Sequence, residues 1–435
     1  MTAIGGRRAR YGSAWTVHLR HGSTSVQTDN VVVEADAPAV TYDPFSYEIQ
    51  EDPYPIYAWM REKAPVYRNE ERDFYALSRH ADVLSALRDP GTFTNRNGIS
   101  LESSLWGPQA YKNVFFLALD PPDHTKVRGL VQKRFAPRSV AQQEARIREL
   151  TRRRLDPLLE QDTFDFARDF AAAVPNDVVC EMLGIPEADW DTIRFDTDLL
   201  TRREDESDER SSETLAAAFR LATYYVHLVA DLRRHPGDNL TSILTQADVD
   251  GIRLTDSEIV AFLFLIVSGG NESTGKLIGN AWYHGWRLPD VQRAGLGGRF
   301  ADWTNETLRF DSSSQMTSRT VTRDIELHGT PISAGSRVVL LHASGNRDHR
   351  VFDDPDRYDI DRNTRKMLSF GAGPHHCLGG ALATLEISII LEEVAKDIAE
   401  YDLDMATAQR VHSAHQRGFA TLPCTPVKRR TPAAG

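Results

Sequence analysis

Cysteine is scarce: Cys180, Cys377 and Cys424 are the only three in 435 residues. They form no disulfide framework, and a reducing cytosol is the default setting for such a chain. Long apolar runs are missing as well. The longest, "IVAFLFLIVSGG" (Ile259–Gly270), meets glycine well short of the ~18–20 residues a membrane span needs. Positive charge is in deficit, 51 Lys and Arg against 62 Asp and Glu, for a net charge of −11. That balance argues against wholesale nucleic-acid binding. The expectation is a cytoplasmic protein with neither a membrane nor a nucleic-acid partner. Residues 1–40 lack a periodic apolar face and the apolar core of a secretory signal. Rich in Arg, Gly, Ser and Thr, they read as a disordered extension or as the product of a start codon assigned too early.

Organised sequence begins near residue 41. Pro53 and Pro55 precede a helical pattern of Ile56, Trp59 and Met60, with Arg61 and Lys63 on its polar side. "DFYALSRHADVLSALRD" reads as a strand and then a helix. From Pro121 to about Leu288 the period is helical, as in "ARIRELTRRRLDPLLEQ" and "LAAAFRLATYYVHLVADLRRH". The polar break "TRREDESDERSSE" reads as a solvated loop. Alternation appears late, in "RTVTRDIELHGTPISAGSRVVLLHASG". With no repeat and no inter-domain linker, the chain reads as one mostly α domain with small β-sheets over 41–427, followed by a short polar tail, 428–435.

One stretch departs from this pattern. "SFGAGPHHCLGG" (Ser369–Gly380) sets Cys377 among glycines just before a helical run. Zinc would need several Cys or His ligands at regular spacing, and only His375 and His376 are near. A nucleophilic thiol does not explain Gly371, Gly373, Gly379 and Gly380 together. A buried inert cysteine belongs in a periodic apolar element. A flat, bulky cofactor pressed against the backbone does explain the glycines, which permit close approach and positive-φ turns. The helix N-terminus behind Cys377 favours thiolate, as a haem-iron ligand requires.

"FGAGPHHCLG" resembles the haem-binding signature of the cytochrome P-450 family, F-G-x-G-x-H/R-x-C-x-G, at Phe370, Gly371, Gly373, His375, Cys377 and Gly379. Other segments agree in order. "ETLR" is similar to the family's E-x-x-R helix, and "NRDHRVFDDPDRYDIDR" to its meander. "DPPDHTKVR" resembles the haem-facing helix, and "SGGNEST" the acid–alcohol step of the central helix. The resemblance spans about residues 40–425 and is closest to the soluble bacterial branch. It implies a single triangular helical domain around a buried haem b, with Cys377 on the metal. His124, Arg128, Arg319 and His375 then fall at the propionate positions. The acid–alcohol step falls on Glu272 and Ser273, with Thr274 next to them and about 100° round an ideal helix. Serine stands where the family commonly has threonine, and it lacks the methyl that stiffens χ1. Glu306, Arg309 and Arg362 become a structural trio. Ile99, Leu105, Trp106, Phe262, Ile266, Gly270, Gln315, Met316 and Phe419 become candidate pocket residues.

Some of this stands on the residues alone. Thr255 and Glu258 form a capping box at the start of the central helix. Gly269 and Gly270 inside it imply a kink or a close visitor. Glu306 and Arg309 share a helix face. The implied activity is a haem-thiolate monooxygenase that inserts one oxygen atom of dioxygen into an apolar small molecule, by hydroxylation or epoxidation. A secondary metabolite, terpenoid, steroid or aromatic compound would suit. Electrons would come from a ferredoxin and its reductase, docked on Lys126, Lys133, Arg134, Arg365 and Lys366. Peroxygenase or oxidative-coupling chemistry on the same fold is the alternative, and a haem-based sensor or binding protein a remote one.

Overall fold

The computed structural model describes residues 41–201, 211–249 and 252–429. The extension 1–40 and most of the acidic break lie outside them. The end of that break is helical: Ser211 caps the helix Ser212–Arg234, its side chain accepting from the Thr214 N–H.

The central helix is built as its sequence dictates. Thr255 Oγ1 accepts from Glu258 N at 3.3 Å, while Glu258 Oε2 accepts from Thr255 N at 2.8 Å. Together they satisfy two of the amide donors that a helix start leaves open. The helix runs Asp256–Val267, widens to a π-turn over Ser268–Glu272, and resumes as Ser273–Arg287. Gly269 and Gly270 supply the weak point, and π-turns of this kind often mark functional sites. A Cβ on Gly270 would sit 2.9 Å from Val179 Cγ2, so the neighbouring helix Ala173–Leu183 crowds one side. A Cβ on Gly269 would meet nothing within 4 Å.

Helices Ala173–Leu183, Trp190–Thr201 and Ser212–Arg234 pack around the first half of the central helix, burying Val179, Leu221, Tyr225, Ile259 and Phe262. The second half joins helices Phe300–Phe310 and Gly380–Asp397 around Trp282, Trp303 and Ile390. A five-stranded sheet lies to one side, in the order Val66–Asn69, Phe74–Leu77, Arg337–Leu340, Thr317–Val321, Phe93–Thr94. Its pairings are antiparallel except between Phe74–Leu77 and Arg337–Leu340. A three-stranded sheet joins Ile398–Leu403, Pro423–Lys428 and Phe164–Asp165.

The proline-led helix is Tyr54–Lys63, but Arg61 is not on a solvated face. It is buried, and its guanidinium donates to the carbonyl and the hydroxyl of Ser344, both at 3.1 Å. Its alkyl stem continues the apolar face and its head finds acceptors inside.

Candidate functional site

The cysteine loop is folded by its glycines. Gly371 and Gly373 have φ of +66° and +68°. At Gly373 a Cβ would stand 2.4 Å from the Leu87 carbonyl oxygen, so no side chain fits. Cys377 N donates to Phe370 O at 2.8 Å and closes the loop. Helix Gly380–Asp397 starts directly behind, and the Gly379 and Gly380 N–H groups point at Sγ. Sequence reasoning expected these amides to favour thiolate. They and Arg128 do pull that way, but burial outweighs them and pushes the thiol up. A bound metal cation reverses the balance, because a coordinating thiol is deprotonated outright. The accessible surface of Cys377 opens into a cavity that its side chain lines. Cys180 and Cys424 are fully buried in the two helical cores and do not line it. Burial pushes the Cys424 thiol up to about 12.

The same cavity collects unpaired cationic and donor groups. Arg128, Arg319 and His375 line it. The Arg128 side chain makes no hydrogen bond or ion pair among the described residues. The Arg319 guanidinium donates, among the described residues, only to Ser318 O at 2.7 Å and Thr317 Oγ1 at 3.3 Å, and burial pushes it down to about 10. His124 is not on the wall itself. Its ring lies 3.9 Å behind that of His375, centroid to centroid, and is stacked on Phe116. Neither nitrogen of either ring has a partner that meets hydrogen-bond geometry. Burial first, then Arg128, holds His124 down to about 4; burial, His124 and Arg319 hold His375 down to about 2. Buried donors without acceptors are uncommon, and each costs free energy unless a ligand satisfies it. A flat group bearing carboxylates, set over a thiol in a side-chain-free cradle, fits this donor set. Haem is such a group.

On either side of and within the π-turn, Ile266, Gly269, Gly270, Ser273 and Thr274 of the central helix line the cavity. Ser273 Oγ donates to Gly269 O at 2.7 Å, which leaves its lone pairs free to accept. The Thr274 hydroxyl has no partner among the described residues. Ideal helical spacing sets Thr274 about 100° from Ser273, yet both residues line the cavity. Glu272 does not line the cavity. It is buried on another side of the helix, 3.7 Å from Lys276 Nζ.

Of the expected pocket residues, Ile99, Ile266 and Gly270 line the cavity, as do Phe370, Gly371 and Gly379 of the loop. The other six do not. Phe262 is fully buried against Phe116, ring centroids 5.5 Å apart. Met316 Sδ accepts from Tyr42 Oη in the core beside the sheet. Gln315 turns back to donate to Ser312 O at 2.6 Å. Phe419 packs on Tyr283, Trp106 lies under the Arg337 guanidinium, and Leu105 sits off the wall in a short 3-10 turn. In their place the wall has Val179, Met182, Leu265, Ser313, Gln416 and Glu386. Leu265 follows from the helical period before Ile266. Glu386 carried a signal too, a lone acid in the apolar run "ALATLEISIIL". The other four carried none.

The trio assembles as expected. Arg309 and Glu306 are fully buried and paired at 2.6 Å, with Arg362 Nε 3.4 Å from Glu306 Oε1. Lys126, Lys133, Arg134, Arg365 and Lys366 are exposed, Arg134 being paired with Asp238. Among the described residues no helix is long and apolar enough to cross a membrane.

The sequence model of the cytochrome P-450 family matches residues 302–424. A putative cytochrome P-450 123 of Mycobacterium tuberculosis is 44% identical over 400 residues, covering 90% of this chain and 98% of its own. A steroid C26-monooxygenase of the same organism is 31% identical over 376 residues, covering 85% and 92%. Among solved structures, CYP109E1 of Bacillus megaterium in complex with testosterone superposes with a TM-score of 0.80 at 28% identity, covering 88% of this chain and 99% of that one.

Proposed function

The chain belongs to the cytochrome P-450 family of haem-thiolate monooxygenases, and on that premise we propose that Cys377 is the thiolate of its haem and that its substrate is an apolar small molecule of steroid, terpenoid or polyketide size. The observation that carries this reading is the convergence on one cavity of Cys377, under the N–H groups of Gly379 and Gly380, with the Arg128 side chain and the His375 ring, His124 lying behind it, none of which has a partner that meets hydrogen-bond geometry. When bound, haem activates dioxygen with two electrons and two protons, so that one oxygen atom enters the substrate and the other leaves as water.

The chain's own residues do the rest. Arg128, Arg319 and His375 would hold the haem propionates with charge-assisted hydrogen bonds, and His124 would back the His375 ring from behind the wall. The 371–379 backbone leaves room for the ring. Ile99, Val179, Met182, Leu265 and Ile266 exclude water and seat an apolar body. Ser273 and Thr274 order water on the central helix, and Glu272, held by Lys276, fixes the outer side of that turn. The exposed bases Lys126, Lys133, Arg365 and Lys366 dock an acidic ferredoxin, whose steering weakens with salt. The steroid named in one relative and the testosterone in one neighbour support the size class.

The test uses steroid and macrolide libraries scored by spin-state shift, followed by turnover of hits under labelled dioxygen. Hydroxylated or epoxidised product carrying one labelled atom is expected. Label arriving only from peroxide, or product without new oxygen, overturns the reading in favour of peroxygenase or coupling chemistry.

A further inference from the structure

Two segments far apart in sequence form one piece of the cavity wall. Ser312, Ser313 and Ser314 follow the helix Phe300–Phe310, and Gln416 precedes the strand Phe419–Thr421. They pair antiparallel over a few residues. Arg417 N donates to Ser313 O at 2.7 Å, Gln315 N donates to His415 O at 2.9 Å, and Ser314 faces Gln416 between them. A single bridge is not a sheet, so the place of this stretch depends on what anchors its ends.

The anchors are the residues that bracket it. Asp311 precedes Ser312, Arg417 follows Gln416, and both are buried. Arg417 Nε donates to Asp311 Oδ1 at 2.8 Å, Tyr54 Oη donates to the same oxygen at 2.9 Å, and His284 Nε2 meets Oδ2 at 2.9 Å. Burial pushes the Asp311 carboxyl up, but Arg417 and His284 outweigh it and hold the group well below the usual carboxylate range. The same guanidinium donates to Gln50 O at 2.6 Å and Glu51 O at 3.0 Å. Asn280 Nδ2 donates to both anchor carbonyls, Asp311 O at 3.0 Å and Arg417 O at 3.1 Å. Asn280 and His284 are one turn apart on the helix Ser273–Arg287, whose first turn carries Ser273 and Thr274 on the cavity wall. One helix therefore carries the hydroxyls and also holds this stretch of wall. A buried ion pair adds little stability over an apolar set of the same volume. Here its directional bonds fix the position of the two residues on either side of the wall.

We propose that Asp311 and Arg417 are positioning residues: with Asn280 they hold Ser312, Ser313, Ser314 and Gln416 at a fixed distance from the central helix, and so set which ligand shapes the cavity accepts. A wall already in place need not be ordered when a bulky ligand arrives, which is how preorganisation strengthens binding. The proposal rests on the haem reading of the cavity.

The test uses the haem-loaded full chain and two azoles that bind iron through nitrogen, each titrated by its Soret shift. Imidazole is the small probe; 4-phenylimidazole adds an aromatic ring that the cavity wall must seat. In Arg417→Met the ratio of the 4-phenylimidazole Kd to the imidazole Kd should rise at least about tenfold, while the imidazole Kd itself stays within about twofold. Arg417→Lys keeps a cation against Asp311 and should recover part of the ratio. Adding Asp311→Asn to Arg417→Met should change the ratio little further, because the two residues act as one unit. The infrared stretch of iron-bound carbon monoxide should broaden in Arg417→Met as the wall takes up several positions. If Arg417→Met takes up no haem, Asn280→Leu carries the test, since it removes no charge and should raise the ratio in the same direction. A role confined to stability predicts a lower urea midpoint with an unchanged ratio; a ratio that stays within about twofold of the wild type, or falls, overturns the proposal. Wild-type protein whose spectrum shifts with neither azole would sink the haem reading, and the proposal with it.

Discussion

Replacing Arg309 by methionine isolates the network behind the cysteine loop. Arg309 donates to Glu306 at 2.9 and 2.6 Å and to the carbonyls of Asn346, Pro355 and Arg357 at 3.0, 2.9 and 3.2 Å. Glu306 Oε1 also accepts from Asp359 N at 2.9 Å. From there the chain of contacts reaches the loop: Asn346 Nδ2 donates to Ser369 Oγ, which donates to Leu308 O. Methionine fills much of the volume but takes the main cation from a buried carboxylate, which keeps only the Asp359 N–H and Arg362, and leaves the Asn346 and Pro355 carbonyls without their donor. Breaking a buried pair from one side costs about 3–5 kcal/mol, a large share of the ~5–15 kcal/mol of a typical fold. Urea unfolding followed by tryptophan fluorescence should show that loss, with haem content falling in parallel because the loop loses its anchor. The pair term is read from a double-mutant cycle with Glu306→Met, in which removal of both charges should cost at least about 1 kcal/mol less than the sum of the single losses. Strict additivity, or a loss below about 1 kcal/mol for Arg309→Met, refutes the reasoning.

Ser273→Ala should retain ligand binding and release more peroxide per dioxygen consumed, and Thr274→Ala should do the same, because both hydroxyls reach the cavity; an effect confined to either one assigns the role to it. In haem-free protein, burial holds His124 and His342 down to about 4 and about 3. The unfolded chain, with histidines near ~6.5, takes up protons first as pH falls. Urea midpoints should therefore be flat above pH ~6.5 and drop below it, at about 1.4 kcal/mol per pH unit per histidine, until the folded-state values are reached; a midpoint that rises on acidification contradicts this. Reversing Lys133 and Arg365 to Glu should slow reduction by ferredoxin and spare peroxide-driven turnover, whereas equal loss in both assays means a damaged fold.

The sequence made the cysteine loop legible because glycine at positive φ and a helix N-terminus are local properties. The Thr255–Glu258 box and the Glu306–Arg309 pair were legible for the same reason: each spacing brings its two groups together within one turn. The π-turn was legible only as a weak point at Gly269 and Gly270, because the neighbour that crowds Gly270, Val179, comes from a helix distant in sequence. Thr274 lines the cavity and Glu272 does not. Phe262, Met316 and Phe419 were misplaced because an apolar residue looks the same in a core as in a pocket. Only packing against Phe116, Tyr42 and Tyr283 tells them apart. Arg61 was misplaced because nothing in its neighbourhood announces Ser344 as an acceptor.

The most direct test of the account is the absorption spectrum of the reduced protein under carbon monoxide, taken for the wild type and for each cysteine changed in turn to serine. Thiolate ligation gives a strongly red-shifted Soret band. The account predicts that band in the wild type, in Cys180→Ser and in Cys424→Ser, and its loss in Cys377→Ser alone. A band that survives Cys377→Ser, or that disappears in Cys424→Ser while haem remains bound, would contradict it.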